Sequence, residues 1–502
     1  MASTVRKVGL PIALFVCFLV VSSCDDSATE LDSIAVDPLP APDTFFPTST
    51  LDRDDGGGAD FLNPPRDNFT QTTLLTGKVL IAGGTSSGAA LDQALLYDQL
   101  AAEFFLTSSL AVARRGHTAT LTSAGDVVVV GGIGVGGEPL ASVEIYRPSL
   151  GTWQILQGMR DARFGHTVTR LSGGDLLVAG GVTSSFGTVT DTCEILDVST
   201  LLLSDATPIQ AGPGSMFGSP RAFHTATSVP IQASPPLGGA GPCAPGNFEY
   251  VVIFVGGLTG SPGGPAAALA ATVAVFYPGE TTPGPGGVDV PGRWETMIVG
   301  GAAIRRWGHQ AMMVECAPQA SPPFASVLLV GGIGAFTPAL GALTSGSPGQ
   351  SVLEDSEFPA FSYAKLEVAT ETLSAPGAPT GTIVGGGSIG DPTIDPIFVG
   401  GGGSRAIFHE GSKLVLFLGG NTYDRLSNLR APHSSNAYLI DPELLAHAPS
   451  ISSMSVGRSF CGLSLLPGPD EAIGTADDTV LVVGGEFAST GESATAEEYA
   501  FP

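Results

Sequence analysis

Residues 114–132 read RRGHTATLTSAGDVVVVGG, and residues 163–181 read RFGHTVTRLSGGDLLVAGG. The two stretches align without a gap and begin 49 residues apart. Each contains a short apolar run, Val127–Val130 in the first and Leu176–Ala179 in the second, that ends in a pair of glycines. Short β-branched or aliphatic runs that end in glycine are typical of buried strands. Two copies in register at about 50 residues indicate a repeat architecture built from strands.

The same pattern extends over most of the chain. A glycine pair closes an apolar strand at residues 83–84, 131–132, 180–181, 256–257, 331–332, 419–420 and 484–485. In six of these seven units, an arginine stands three residues before a position that we call the histidine slot. The slot holds Phe69, His117, His166, His224, His309 and Cys461. In the sixth unit, counting fourteen residues back from the first glycine places Arg405 in the slot, with no arginine three residues before it.

The composition fits a chain of many short strands. Of 502 residues, 69 are glycine and 39 are proline, while 43% are hydrophobic and only 14% are charged. Abundant apolar residues interrupted by turn residues favour an all-β protein with a large core. The formal net charge of −26 repels nucleic acids and anionic lipids, so we expect neither as a partner.

Residues 1–24 predict an export signal, because basic residues precede the apolar run Leu10–Val21, which is too short for a stable membrane span. The segment ends in VSSC, which resembles the lipobox of bacterial lipoproteins. The resemblance implies cleavage before Cys24 and lipidation of that cysteine. It also implies that the lipid anchor alone holds the protein in the bacterial cell envelope, extracytoplasmically, on the periplasmic side or at the cell surface. The acidic, Pro/Gly-rich residues 25–62 are expected to form an extended tether.

The arginine-x-Gly-His start, the double glycine, an aromatic third strand such as SVEIY at 142–146 and a tryptophan in the fourth strand resemble the bacterial kelch repeat. The resemblance covers residues 63–502. It implies an all-β, seven-bladed kelch-type β-propeller of four-stranded antiparallel sheets. Six or eight blades remain open, because residues 383–403 could form a further blade or a loop. The chain stops after the third strand of its last unit, so we expect the N-terminal residues 44–51 to supply the fourth strand and close the ring.

Six aligned arginines are the first candidate binding site. They are Arg66, Arg114, Arg163, Arg221, Arg306 and Arg458. In a propeller they fall near the axial mouth, where a basic ring could bind an anion such as a carboxylate sugar. Alternatively, each arginine pairs with a third-strand carboxylate such as Glu144, Glu194 or Glu497. A residue that recurs in nearly every repeat is usually part of the scaffold, so the second interpretation is favoured.

The other reactive side chains predict no catalytic residue, no metal site and no cofactor. The slot histidines occur once per blade, which is too dispersed for a tetrahedral metal site. The acidic loop 468–478 is interpreted as a polar hairpin turn rather than a calcium site. Cys243 and Cys316 lie in adjacent first-to-second-strand loops and are the most plausible disulfide pair. Cys193 and Cys461 lie within strands and are expected to be buried thiols.

These features predict a lipid-anchored, extracytoplasmic, monomeric propeller that acts as a binding or scaffolding module for a protein or a carbohydrate. Its partner is expected at the long loops 333–360 and 370–402, because loops on a rigid scaffold commonly carry binding. Kelch propellers that isomerise sialic acid and the propeller domain of galactose oxidase resemble this chain in fold. A sugar-active enzyme is therefore the alternative, although fold resemblance alone does not assign an activity.

Overall fold

The computed structural model describes residues of one compact unit, Pro40–Pro502. The described residues are 44–47, 64–183, 187–205, 220–232, 248–260, 269–270, 272–278, 280–281, 289–290, 293–300, 305–317, 324–332, 363–369, 380–387, 397–399, 404–420, 422–424, 429–431, 435–449, 453–455, 457–468, 470, 472–487, 491–492 and 495–502. They form strands and turns, and none of them belongs to a helix that could cross a membrane. The predicted signal segment with Cys24 and the loop 333–360 lie outside them.

The described residues form seven antiparallel units of four strands, which we call blades 1 to 7 in chain order. Blade 1 consists of Thr70–Thr73, Val79–Ala82, Ala94–Asp98 and Glu103–Leu106. Blade 2 consists of Thr118–Leu121, Val127–Val130, Val143–Arg147 and Thr152–Ile155. Blade 3 consists of Thr167–Arg170, Leu176–Ala179, Cys193–Asp197 and Leu202–Asp205. Blade 4 consists of Thr225–Gln232, Phe248–Val255, Val273–Tyr277 and Arg293–Gly300.

The remaining blades follow the same order. Blade 5 consists of Gln310–Ala317, Phe324–Val330, Tyr363–Ala369 and Thr380–Gly387. Blade 6 consists of Ser404–His409, Leu414–Gly419, Ala437–Asp441 and Ala446–Pro449. Blade 7 consists of Gly462–Leu466, Thr479–Val483, Ala496–Ala500 and Thr44–Pro47. Short additional strands are Thr85–Ser86, Ala89–Ala90, Glu280–Thr281, Asp289–Val290, Ile397–Val399, Thr422–Asp424, Leu429–Ala431, Glu486–Phe487 and Gly491–Glu492.

The core lies between blades, which explains the apolar run in the second strand of each blade. In blade 2, Val127 and Val129 pack in one cluster with side chains of blade 1. Val128 and Val130 pack in another cluster with side chains of blade 3. Successive side chains of a strand point to opposite faces of the sheet. A sheet that is covered on both faces by its neighbours therefore requires an uninterrupted apolar run, and the predicted seven-bladed propeller is confirmed.

Neighbouring blades of a propeller are expected to be separate sheets, but blades 4 and 5 are joined into one. Their outermost strands pair in parallel, with Ile298 opposite Thr380 and Gly300 opposite Thr382. The strand Thr380–Gly387 belongs to blade 5, so this part of the predicted loop 370–402 is a strand. The prediction of a continuous loop is wrong there, because the glycine-rich sequence TGTIVGGG carries little strand signal. The same assignment excludes residues 383–387 from a separate eighth blade.

The two ends of the described chain lie together in blade 7. Thr44–Pro47 pairs antiparallel with Ala496–Ala500, with Thr44 opposite Ala500. Blade 7 also contacts blade 1 directly, because Gly485 N donates to Arg66 O at 3.0 Å and Tyr97 Oη donates to Glu498 Oε1 at 2.8 Å. The pairing occupies part of the predicted segment 44–51. That this strand is what holds the ring closed stays a prediction.

Candidate functional site: the axial mouth of the propeller

The first strand of each blade is the innermost one. The aligned arginines lie at the end of the ring where these innermost strands begin, and we call this end the axial mouth. Their side chains are buried, and Arg114 shows how they are held. Its guanidinium donates to the carbonyl of Gly131 at 2.9 Å, to the carbonyl of Ser142 at 3.1 Å and to the carboxylate of Glu144. Arg163 repeats these contacts in blade 3. Each side chain therefore ties the glycine pair of its own blade to the third strand.

The backbone of the same arginines links neighbouring blades. The amide of Gly132 in blade 2 donates to the carbonyl of Arg163 at 2.9 Å, and equivalent bonds run from Gly84 to Arg114 and from Gly420 to Arg458. Gly132 has a φ of +100°, and a Cβ there would lie 2.8 Å from the carbonyl oxygen of Arg115. Only glycine combines this conformation with such a close approach of two backbones.

Carboxylate partners are present in blades 2, 3 and 7. Arg114 pairs with Glu144, Arg163 with Glu194 and Arg458 with Glu497. In these three blades the arginine therefore pairs with a third-strand carboxylate, as the scaffold interpretation expects. The corresponding third-strand residues of blades 1, 4 and 5 are Leu95, Ala274 and Ala364. Burial lowers the pKa of Arg66, Arg221 and Arg306 to about 10.

These contacts bear on the predicted anion ring. Because Arg66, Arg114, Arg163, Arg221 and Arg458 are fully buried and Arg306 is nearly so, a ligand at the mouth would have to displace scaffold contacts to reach them. Breaking a buried, hydrogen-bonded charge pair is strongly unfavourable. The geometry favours the scaffold interpretation, and anion binding by these six arginines stays a hypothesis.

Histidines and threonines form a second ring next to the arginines. The Nε2 atom of each slot histidine shares a hydrogen bond of 2.8–3.0 Å with a threonine hydroxyl that begins the first strand of the preceding blade. The pairs are His117 with Thr70, His166 with Thr118, His224 with Thr167 and His309 with Thr225. Burial, and secondarily the nearby arginine, lowers the pKa of each histidine, and that of His166 to about 3. The histidines are therefore neutral and structural, and the described residues contain no group of three metal-ligating side chains.

The register of blade 6 corrects the placement of Arg405. In blade 2, Thr118 pairs with Val130, so His117 lies opposite Gly131. In blade 6, Ser404 lies opposite Gly419 and Arg405 lies opposite Leu418. Ser404 therefore occupies the histidine slot, and Arg405 occupies the following threonine position. Counting fourteen residues back from the glycine pair was wrong because the hairpin of the first two strands, from the slot residue to the first glycine, is one residue longer in blade 6 than in blades 1 to 3.

An aromatic cluster at the mouth was missed from the sequence. The residue before the slot has a positive φ and is glycine in blades 2, 3 and 5, but it is Phe223 in blade 4, with a φ of 55°. The ring of Phe223 lies against Gly165, and its centroid is 6.0 Å from that of Phe164 and 5.7 Å from that of Trp307. Phe164 and Phe223 are half-buried, and Trp307 is 9% exposed. The sequence shows that Phe223 replaces the glycine of the repeat, but it does not show the positive φ of Phe223 or the aromatic rings around it.

The remaining predicted sites are structural where they are described. Cys193 and Cys461 are buried free thiols, as predicted. Cys316 is disulfide-bonded, whereas its predicted partner, Cys243, lies outside the described residues. In the acidic loop, the carboxylate of Asp478 accepts hydrogen bonds from backbone amides of the same turn. This arrangement is a polar hairpin turn.

Comparison with known proteins agrees with the class of fold, which is a β-propeller. Residues 114–160, which include blade 2, match the model of the Kelch motif. A fungal alcohol oxidase of the AA5 family, solved in complex with copper, is similar over 89% of this chain and 77% of its own, with 14% sequence identity and a TM-score of 0.52. The protein YjhT is similar over 87% of this chain and 95% of its own, with 14% identity and a TM-score of 0.41. No curated protein matches the sequence.

Proposed function

We propose that this protein is a binding or scaffolding module whose partner, a protein or a carbohydrate, contacts the axial mouth and the long loops of the propeller. We also propose that it acts outside the cytoplasm on a lipid anchor at Cys24, for which the lipobox-like segment is the support. The Kelch motif and the propeller fold support a binding module or a kelch-type enzyme. The repeated arginines and histidines serve the scaffold, so binding is assigned to residues that depart from the repeat.

The observation that carries the proposal is the aromatic cluster of Phe164, Phe223 and Trp307. Phe223 adopts a left-handed conformation that costs a side-chain-bearing residue about 1–2 kcal/mol. Strained residues that persist are concentrated at binding and catalytic sites. The buried Nε1 of Trp307 has no hydrogen-bond partner among the described residues, which leaves a donor for a partner's oxygen. Half-buried aromatic side chains on a rigid frame are typical anchors of interfaces.

The experiment compares two matched substitutions in the full-length protein. Phe223→Gly restores the glycine of the repeat and removes the ring at the mouth, while Phe460→Gly makes the same change in blade 7, where the φ is also 55°. Both variants and the wild type are tested for binding to a carbohydrate array and to proteins captured from envelope extracts. We expect Phe223→Gly to lose a ligand that Phe460→Gly retains. Equal binding by all three proteins would contradict the proposal, and turnover of a bound sugar would favour the enzyme alternative.

A further inference from the structure

Arg405 is a charged residue in a ring that is otherwise neutral. Its position at the start of the innermost strand is held by threonine in blades 1 to 4, by Gln310 in blade 5 and by Gly462 in blade 7. The threonines point to the slot residue of the next blade, as their hydrogen bonds to histidine show. Arg405 follows the same direction, because its Nε donates to the carbonyl of Cys461, the slot residue of blade 7, at 2.9 Å.

Among the described residues, the rest of the guanidinium has no partner. Of the five N–H donors of an arginine, the bond to Cys461 uses the one on Nε, and the described residues supply neither a hydrogen bond nor a carboxylate to the two Nη atoms of Arg405. Arg163, by comparison, pairs with the carboxylate of Glu194 and donates to two backbone carbonyls. Arg405 is partly exposed, so solvent or a small solute can reach it.

The surroundings of Arg405 disfavour an uncompensated charge. Burial lowers the pKa of Arg405, and the nearby thiol of Cys461 opposes that shift only in part. Taking a cation out of water without a counter-charge is costly, which is why buried charges are usually paired. With 47 acidic against 21 basic residues, the chain is rich in side chains that could supply a counter-charge. The described part of the chain places none there, and this leaves the position open for an anion from solution.

We propose that the Nη atoms of Arg405 bind the carboxylate of a small organic anion inside the axial mouth. A guanidinium presents parallel N–H donors that match the two oxygens of a carboxylate, and such bidentate pairs are stronger than neutral hydrogen bonds. The inference rests on the proposed function, because it names the ligand chemistry of the same mouth. It moves the anion site from the six aligned arginines to the one that departs from the repeat.

The test is calorimetric titration of sodium acetate into the full-length protein, at an ionic strength held constant with sodium chloride. We expect saturable binding that weakens at least about tenfold in Arg405→Gln, because both the charge and the paired donors are lost. Arg147→Gln removes an equal charge at the opposite end of blade 2, where Arg147 lies 4.0 Å from Asp126, and is expected to bind like the wild type. No saturable binding to the wild type, or equal binding by Arg405→Gln, would overturn the inference.

A second variant separates binding from a purely structural role of Arg405. Arg405→Thr restores the residue of blades 1 to 4, and we expect it to melt in chloride at the wild-type temperature or above while its melting temperature no longer rises with acetate. A lower melting temperature in chloride combined with an unchanged acetate response would overturn the inference. Phe223→Gly is expected to retain acetate binding. If Phe223→Gly keeps every ligand of the wild type, the proposed role of the aromatic cluster fails, whatever the acetate result. If Phe223→Gly loses its ligand while Arg405→Gln binds acetate like the wild type, only the present inference fails.

Discussion

Blades 2 and 3 and blades 5 and 6 are built on the same strand order, but they use their polar residues differently. In blades 2 and 3, each arginine meets a third-strand glutamate and each slot histidine meets a threonine. In blade 5 the glutamate is replaced by Ala364, and in blade 6 the slot holds Ser404 and the threonine position holds Arg405. The comparison teaches that residues obeying the repeat hold the ring together, whereas residues departing from it are available for other interactions.

The largest expected effect comes from breaking a regular pair. Arg163→Met leaves Glu194 buried without its counter-charge, which we expect to lower the free energy of unfolding by about 3–5 kcal/mol. The same substitution at Arg405 removes a charge that has no carboxylate partner in the described part of the chain, and should cost less than about 1 kcal/mol. Urea unfolding of the two variants measures both values, and equal losses would contradict the contrast between the blades.

The second-largest expected effect is a loss of stability in acid, caused by the buried slot histidines. Each slot histidine has a folded pKa below its unfolded value of 6.5, so the unfolded chain binds protons that the folded chain excludes. The stabilising contribution is therefore complete above pH 6.5 and is lost as the pH falls towards 3, the pKa of His166. Between pH 6.5 and 5 we expect His166 alone to contribute a loss of about 2 kcal/mol.

The measurement is the free energy of unfolding at several pH values between 5 and 7.5, compared for the wild type and His166→Gln. The variant should show a shallower decline with falling pH, because one proton fewer is taken up on unfolding. Parallel pH profiles for the two proteins would refute the claim that His166 is neutral in the folded ring.

A pair of glycine substitutions tests the close approach at the glycine pair. Gly132→Ala adds a Cβ 2.8 Å from a backbone carbonyl, whereas Gly116→Ala adds one that meets nothing within 4 Å, and both positions have a positive φ. We expect about 1 kcal/mol of strain at Gly116 and roughly 1–3 kcal/mol more at Gly132. Thermal melting compares the two variants. Equal melting temperatures would show that the approach of Gly132 to the carbonyl of Arg115 is looser than described.

The smallest expected effect concerns closure of the ring. Deleting residues 44–47 exposes the edge strand Ala496–Ala500, but leaves the contacts of Gly485 with Arg66 and of Tyr97 with Glu498. We expect a modestly lower melting temperature and a greater tendency to aggregate, because an unpaired strand edge is a template for association. Light scattering and thermal melting check this. An unchanged protein in both assays would remove the closing role predicted for this strand.

Features that recur in every repeat could be predicted from the sequence, whereas features that occur in one blade could not. The seven blades and the pairing of Arg114 with Glu144 were predictable, because each signal recurs at a fixed spacing. The position of Arg405 was missed because counting residues assumes a constant hairpin length, which blade 6 does not keep. The aromatic cluster around Phe223 depends on contacts between blades, and no spacing within one repeat reveals these.

The most direct test is arginine-selective modification of the folded protein with phenylglyoxal, mapped by mass spectrometry. The account predicts that Arg405 reacts, that acetate slows its reaction, and that Arg66, Arg114, Arg163, Arg221 and Arg458 stay protected until the protein unfolds. Modification of Arg114 and Arg163 in the folded state at the rate of Arg405 would contradict the division between scaffold and binding residues.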